Sequence, residues 1–179
     1  MELTTGQNIA ITDTGPELCL TWKTGPGFSS DIDASAFLLG TDEKVLGDSS
    51  MIFFNQPHNE NRSIVMHHQA GEVRFQIQLH ALPAAVMRID VTLVIDGSDT
   101  VEGLQQLTLN CGEHRYDIAP GDRREKALIF CHLCRHNGQW KLRASMTRSK
   151  EGADGIRKRS GISSSPFFAG IMTSRTSNF

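Results

Sequence analysis

Glu72-Val73-Arg74-Phe75-Gln76-Ile77-Gln78-Leu79-His80 decides the fold class. Polar and apolar residues alternate through the whole stretch. Successive side chains of an extended chain point to opposite sides, so this segment has an apolar face only as a strand. The same period runs through Arg88–Ile95, where Ile89, Val91, Leu93 and Ile95 share one side. It returns in Gln139–Met146, where Trp140, Leu142, Ala144 and Met146 do. Each of the three is expected to be an antiparallel strand with one face in water.

Working outward, shorter candidates are Asn8–Ile11, Glu17–Trp22, Ser35–Leu39, Met51–Asn55, Ser63–His67, Leu104–Asn110, His114–Ile118 and Ala127–Arg135. The last is apolar on both sides, Ile129, Cys131 and Leu133 against Leu128, Phe130 and Cys134, and is expected in the middle of a sheet. Turn chemistry separates the candidates: Thr24-Gly25-Pro26-Gly27, Gly47-Asp48-Ser49, Asp96-Gly97-Ser98, Pro120-Gly121-Asp122 and Asn137-Gly138. Asn137-Gly138, between two strand patterns, signals a two-residue hairpin. About ten short strands so spaced predict an all-β fold, a β-sandwich of two mostly antiparallel sheets. Helix is scarce: one turn over Leu82–Val86 and a short candidate over Gly152–Ser160. Residues 1–162 are expected to form the domain, and the Ser-rich stretch 163–179 a flexible tail.

The 179 residues carry a net charge of −2, but unevenly. Residues 1–140 hold 10 Lys and Arg against 18 Asp and Glu, whereas residues 141–179 hold 8 against 2. This excludes a uniformly basic nucleic-acid binder and leaves a basic end, Arg148, Lys150 and Arg157-Lys158-Arg159, suited to nucleic acid, a nucleotide or an acidic partner. Four cysteines are too few for a disulfide scaffold, and Met1-Glu2-Leu3-Thr4-Thr5-Gly6 has neither the basic nor the apolar part of a secretion signal, so a reducing cytoplasm is expected. No apolar run approaches the roughly 18 residues of a membrane span. In that setting the sequon Asn61-Arg62-Ser63 is expected to stay unmodified.

Cys131-His132-Leu133-Cys134 has the spacing of half a zinc site. On a strand, however, residues three apart face opposite ways and lie roughly 10 Å apart, too far for shared bonds of about 2.3 Å. No zinc is expected, and Cys131 reads as core. His67-His68 and the other histidines lack the i, i+4 pairing of a zinc helix and read as surface residues. No nucleophile elbow, phosphate loop or dinucleotide fingerprint occurs, so no enzyme is expected. Asp31 and Asp33 sit where a Gly/Ser-rich loop meets an apolar strand. Two carboxylates on one side of an extended segment repel unless a cation lies between them, and calcium takes such hard oxygen ligands.

Asp31-Ile32-Asp33-Ala34-Ser35-Ala36-Phe37-Leu38-Leu39 closely resembles the D-L-D-A-S-A-F-L-L signature of the TerD family of tellurite-resistance and general stress proteins. Further segments match in order. Leu3–Ile11 resembles the family's first strand, and Leu20-Thr21-Trp22 a strand with Gly-Trp. Met51–Pro57 resembles F-I-F-Y-N-Q-P, Ser63–His67 resembles S-V-x-H, and Leu82–Val86 the turn that follows. Ala127–Ala144 resembles the A-L-x-F-x-E-L-Y-R-x-x-G-x-W-K-F-x-A ending.

The resemblance implies a β-sandwich and a non-enzymatic binding or scaffold role in tellurite resistance or stress. It implies partners among other such proteins, membrane-associated ones included. It also implies calcium held by D-x-D together with a second acidic loop. Here the chain departs: His68-Gln69-Ala70-Gly71-Glu72 replaces that loop with one acidic residue. Only Asp31 and Asp33 carry over as metal ligands, and weak or lost calcium binding is expected, with Asp48, Asn55 or backbone carbonyls available to complete a site. The basic stretch after Thr147 also stands where the family has a Gly-rich segment.

Overall fold

The computed structural model describes residues 1–12 and 15–148, so the short helix expected over Gly152–Ser160 and the tail lie outside the described residues. Among the described residues eleven strands follow one another: β1 (Asn8–Ile11), β2 (Glu17–Thr24), β3 (Asp31–Leu39), β4 (Met51–Ile52), β5 (Ile64–Gln69), β6 (Glu72–Ile77), β7 (Arg88–Asp96), β8 (Leu104–Cys111), β9 (His114–Ile118), β10 (Ala127–His136) and β11 (Gln139–Arg148). They form two sheets, ordered β1-β11-β10-β7-β3-β4 and β5-β6-β2-β8-β9, and every pair of neighbouring strands is antiparallel. Among the described residues the only helical elements are 3-10 turns at Asp48–Ser50, Leu79–Ala81 and Val101–Gly103. The turn expected over Leu82–Val86 is a hydrogen-bonded reverse turn, Val86 N donating to Pro83 O, and Leu82, which precedes a proline, is extended instead of helical.

The period-two patterns set the layers. Ile32, Ala34, Ala36 and Leu38 of β3 and Ile89, Val91, Leu93 and Ile95 of β7 face Leu18 and Leu20 of β2, Val73, Phe75 and Ile77 of β6 and Leu107 and Leu109 of β8 in one continuous core. β10 lies inside the six-stranded sheet, as its doubly apolar pattern predicts. A bulge between Ile129 and Cys131 turns both Phe130 and Cys131 into the core and returns His132 to the other face. Cys131 and Cys134 consequently fall on opposite faces, opposite Val91 and Arg88 respectively. Asn137 and Gly138 both have positive φ, 50° and 76°, the signature of the two-residue hairpin that joins β10 to β11.

Sheet edges are covered by the chain itself. Met1–Leu3 runs along β9, with Leu3 N donating to Arg115 O at 2.7 Å and Arg115 N donating to Met1 O at 2.9 Å. The same segment continues into β1, so one stretch pairs along β9 of one sheet and forms the edge strand beside β11 of the other. On the other side Met66 N donates to Pro57 O at 2.6 Å, laying residues 57–59 along β5. Unpaired edges invite association with other chains, and this arrangement limits them.

Three expectations are corrected. β3 begins at Asp31, not Ser35, so the two aspartates belong to the strand and not to the loop before it. β4 is two residues long because Phe53 to Gln56 fold back into a turn, with Gln56 N donating to Phe53 O. The outward side of β7 is dry at its middle: Asp90 and Thr92 are buried as well as the apolar set, and only Asp96 is exposed.

Candidate functional site

The outer face of the six-stranded sheet carries the residues with chemistry. The register reads off its rows. Asp31 is opposite Asp96; Asp33 lies beside Val94 and Ala127; Ser35 beside Thr92 and Ile129. Next come Phe37, Asp90, His132 and Arg143, and then Leu39, Arg88, Cys134 and Lys141. Three kinds of surface therefore share one face: an acidic end, a small apolar patch and a charged centre.

At the acidic end, the loop before β3 is clasped to the loop after β7. One oxygen of Asp99, Oδ2, accepts from Ser29 N and Ser30 N, each at 2.8 Å, and from Ser30 Oγ at 2.7 Å. The backbone N–H of Ser29, followed by the Ser30 hydroxyl, holds the Asp99 carboxyl below its ordinary pKa. Gly97 completes the clasp: its φ is 141°, and a Cβ there would lie 2.3 Å from Ser30 Oγ. Only glycine fits so close an approach. Lys126 Nζ donates to Gly97 O at 2.5 Å, bringing a cation to the same end. Asp31 is exposed and Asp33 half-buried, both on the outer face by the alternation of β3.

Among the described residues no group of three or more His, Cys, Asp or Glu side chains is placed to hold a metal. Oδ2 of Asp99 is occupied by the clasp. β5 and β6 meet in a two-residue turn, Ala70-Gly71, and Glu72 lies on the outer face of the other sheet. There it accepts from Arg74 Nε at 2.6 Å and Gln69 Nε2 at 2.7 Å, and the Arg74 hydrogen bond lowers its pKa. Asp48 precedes Met51, which pairs with Phe37, so it lies toward the Leu39 end of β3, away from Asp31. Asn55 lies in the turn after β4. The structure thus brings Asp31, Asp33, Asp96 and Asp99 to one end, and leaves Asp48 and Glu72 elsewhere.

The charged centre escaped the sequence reading. Asp90 is 9% and His132 7% exposed. His132 Nδ1 lies 2.6 Å from Asp90 Oδ1, and Arg88 Nε donates to the same oxygen at 2.5 Å, with Nη2 donating to Oδ2 at 3.1 Å. Arg88 Nη2 is also 2.9 Å from His132 Nδ1. One nitrogen cannot donate to the carboxylate and accept from the guanidinium together, and the shorter, charge-assisted contact assigns the proton on Nδ1 to Asp90. Burial pushes the Asp90 pKa up, but the hydrogen bonds from His132 and Arg88 outweigh it and hold the carboxyl below its usual range. Arg88 reaches outward to Glu43 at 3.2 Å. His132 is thereby a buried, paired histidine and not the surface residue expected. The only sequence signal was its place in a strand apolar on both sides.

Three of the four thiols are held away from their reactive form. Burial raises the pKa of Cys19, Cys131 and Cys134. The thiolate is the reactive form, so these sites disfavour nucleophilic chemistry. A cleft of about 510 Å³ opens at the end of the sandwich where β1, the start of β2 and the β8–β9 hairpin meet, lined by Cys19, Cys111, Glu113 and His114 among others. No helix among the described residues is long and apolar enough to cross a membrane.

The TerD domain family matches residues 1–158. Tellurium resistance protein TerD of Serratia marcescens is 29% identical over 190 aligned residues, covering 92% of this chain and 99% of that protein. General stress protein 16U of Bacillus subtilis is 31% identical, covering 80% and 88%. The crystal structure of a homologue of telluride resistance protein TerD from Streptomyces coelicolor superposes with a TM-score of 0.63 at 16% identity, covering 86% of this chain and 99% of that one. That likeness concerns the fold.

Proposed function

Since the chain belongs to the TerD family, we propose that it is a non-enzymatic binding or scaffold module of tellurite resistance or stress response. It works in the cytoplasm beside other proteins of that kind. The observation that carries the reading is the outer face of the six-stranded sheet, which keeps the D-x-D strand of the family while the acidic loop that would complete a calcium shell is a tight hairpin turn. Calcium affinity at oxygen sites falls as carboxylates are removed, and two of them supply few of the 6–8 ligands needed. Binding is therefore weak, with Kd about 10⁻⁴ M or higher, or absent. Raised thiol pKa values and a histidine tied to a buried carboxylate support a role without covalent catalysis.

Calorimetric titration of the metal-free protein with calcium tests the metal half. Submicromolar affinity abolished by Asp33→Asn would refute it. Tellurite tolerance of cells carrying the intact gene, compared with cells carrying Asp31→Asn/Asp33→Asn, tests the other half. Equal tolerance fits a module that does not depend on calcium, and loss of tolerance with unchanged fold counts against it.

A further inference from the structure

The cleft at the end of the sandwich stands apart from the D-x-D strand. Ile11 is opposite Trp140 and Trp140 opposite Arg135, and the neighbouring Cys134 is opposite Arg88, which pairs with Leu39 of β3. Asp31 is at the other end of β3, about 26 Å along the strand. At physiological salt the Debye length is about 8 Å, so charges at the two ends do not act on each other. A ligand of the cleft is therefore recognised without Asp31 and Asp33.

The volume of about 510 Å³ falls within the usual range for small-molecule sites, roughly 300–1,000 Å³. One wall is the end of β1, an edge strand, and the other is the tip of the β8–β9 hairpin. Leu18 is opposite Cys111, which sets Glu17, at the start of β2, beside that tip and hence near Glu113. Two carboxylates thus stand at one rim, and no Lys or Arg lines the cleft. Arg74 meets Glu17 only at 3.9 Å and gives its Nε to Glu72. The N-terminal ammonium donates to the backbone oxygen of Glu113, and the Glu113 carboxylate has no ion pair among the described residues. His114, opposite Cys111 on the hairpin, has its Nδ1 buried with no hydrogen-bond partner among the described residues. Buried polar atoms are rarely left so. A donor from a ligand would complete it, the ring turning about its soft χ2 torsion to present the nitrogen.

A metal ion does not suit this lining. Cys19 is one residue on from Leu18, so it faces the other side of the sheet from Cys111, and the two thiols cannot share an ion. The complement of carboxylates that only accept is a cation that donates several N–H groups. Ile11 and Pro16 offer apolar surface for the carbon chain that carries it.

We propose that this cleft binds a small organic cation, an alkyl amine or guanidine, its charged group on Glu17 and Glu113, a further N–H donated to His114, and its methylenes along Ile11 and Pro16. The inference goes beyond the functional reading and requires neither calcium nor tellurite.

The test is an NMR titration of the 15N-labelled full chain in chelator-containing buffer at about 0.15 M salt, where long-range attraction to the acidic domain is screened. The probes are putrescine, agmatine and butane-1,4-diol, the uncharged counterpart of putrescine. The expected result is saturable shifts at the amides of Ala10–Thr12 and Gly112–His114 with either cation and none with the diol. Glu17→Gln/Glu113→Gln should weaken binding about tenfold or more, since charge-assisted hydrogen bonds are lost. Both side chains reach water, so the rest of the spectrum should be retained. His114→Phe, which keeps a ring but not its nitrogens, should weaken binding several-fold. No saturable shift at those amides would overturn the proposal, as would shifts centred on Asp31 and Asp96, an equal response to the diol, or unchanged affinity in either variant. A lysine-rich peptide that binds there where the free amines do not would give the cleft to a protein partner and overturn it too.

Discussion

On the outer face of the five-stranded sheet, Glu17, Arg74, Arg115 and Asp117 reach water, each side chain 41–50% exposed. On the outer face of the six-stranded sheet, Phe37, Asp90, Ile129 and His132 are all below 10%. Both sheets share one core and the same alternation, so core packing does not separate them. What separates them is a second layer. The first face is an ordinary solvated one, whose ion pairs across Arg74 and Arg115 contribute little because water screens them. The second is partly covered by residues 40–56, and its charges survive burial only because each is matched: Asp90 by His132 and Arg88, Arg88 also by Glu43. A charge pattern read as a wet face can therefore be either, and only coverage decides.

The largest expected effect attacks the buried centre. Asp90→Ala leaves Arg88 and His132 without their carboxylate and should cost about 3–5 kcal/mol in urea unfolding, the usual loss when one partner of a buried pair is removed. A loss below about 1 kcal/mol would show that the centre is as wet as the other face.

Next comes Ile129→Ala. If the second layer seals this position as a true interior, truncation costs about 2 kcal/mol or more. A change within about 0.5 kcal/mol, normal for surface sites, would remove the difference between the two faces.

Acid sharpens the contrast. Asp90 has a folded pKa below its unfolded value of about 3.9. Its contribution is thus complete above that pH and is lost as pH falls through the lower, folded pKa. Stability measured from pH 6 downward should fall in this range, and Asp90→Asn should flatten the fall. An unchanged slope would mean that other carboxylates govern acid unfolding.

The smallest effects belong to the exposed sites. Glu72→Gln, which breaks the contacts to Arg74 and Gln69 on the bare face, should leave the denaturant midpoint unchanged within error. Chelator should likewise leave the Tm unchanged, since two carboxylates at the end of β3 need no metal to stay apart in water, where their repulsion is on the order of 1 kcal/mol at short range. A Tm lowered by many degrees would mean a complete site.

Much of the fold was legible because period-two alternation is local. β1 and β9 have the bounds that the pattern predicts, β10 is central, and Asn137-Gly138 makes its hairpin. The start of β3 was misread because Asp31 and Asp33 are poor strand formers by propensity. The pairing with β7 overrides it, Asp31 lying opposite Asp96 and Asp33 opposite Val94. The site was legible only at Asp31 and Asp33. Asp99 was hidden because Asp96-Gly97-Ser98-Asp99 reads as a turn, and nothing local says that its carboxylate grips Ser29 and Ser30 some 70 residues away.

The sequence by itself determined the class of fold, the inward faces and the family, because each depends on the order and spacing of side chains within a few residues. It also determined that acid and base are unevenly divided along the chain. Tertiary structure alone decided which face of the large sheet is buried, because burial depends on what comes to lie over a strand and not on the strand. It paired Asp90 with His132 across two neighbouring strands, turned Glu72 away to Arg74, and placed four aspartates at one end of the sheet. Such contacts join residues distant in sequence, and no local pattern encodes them.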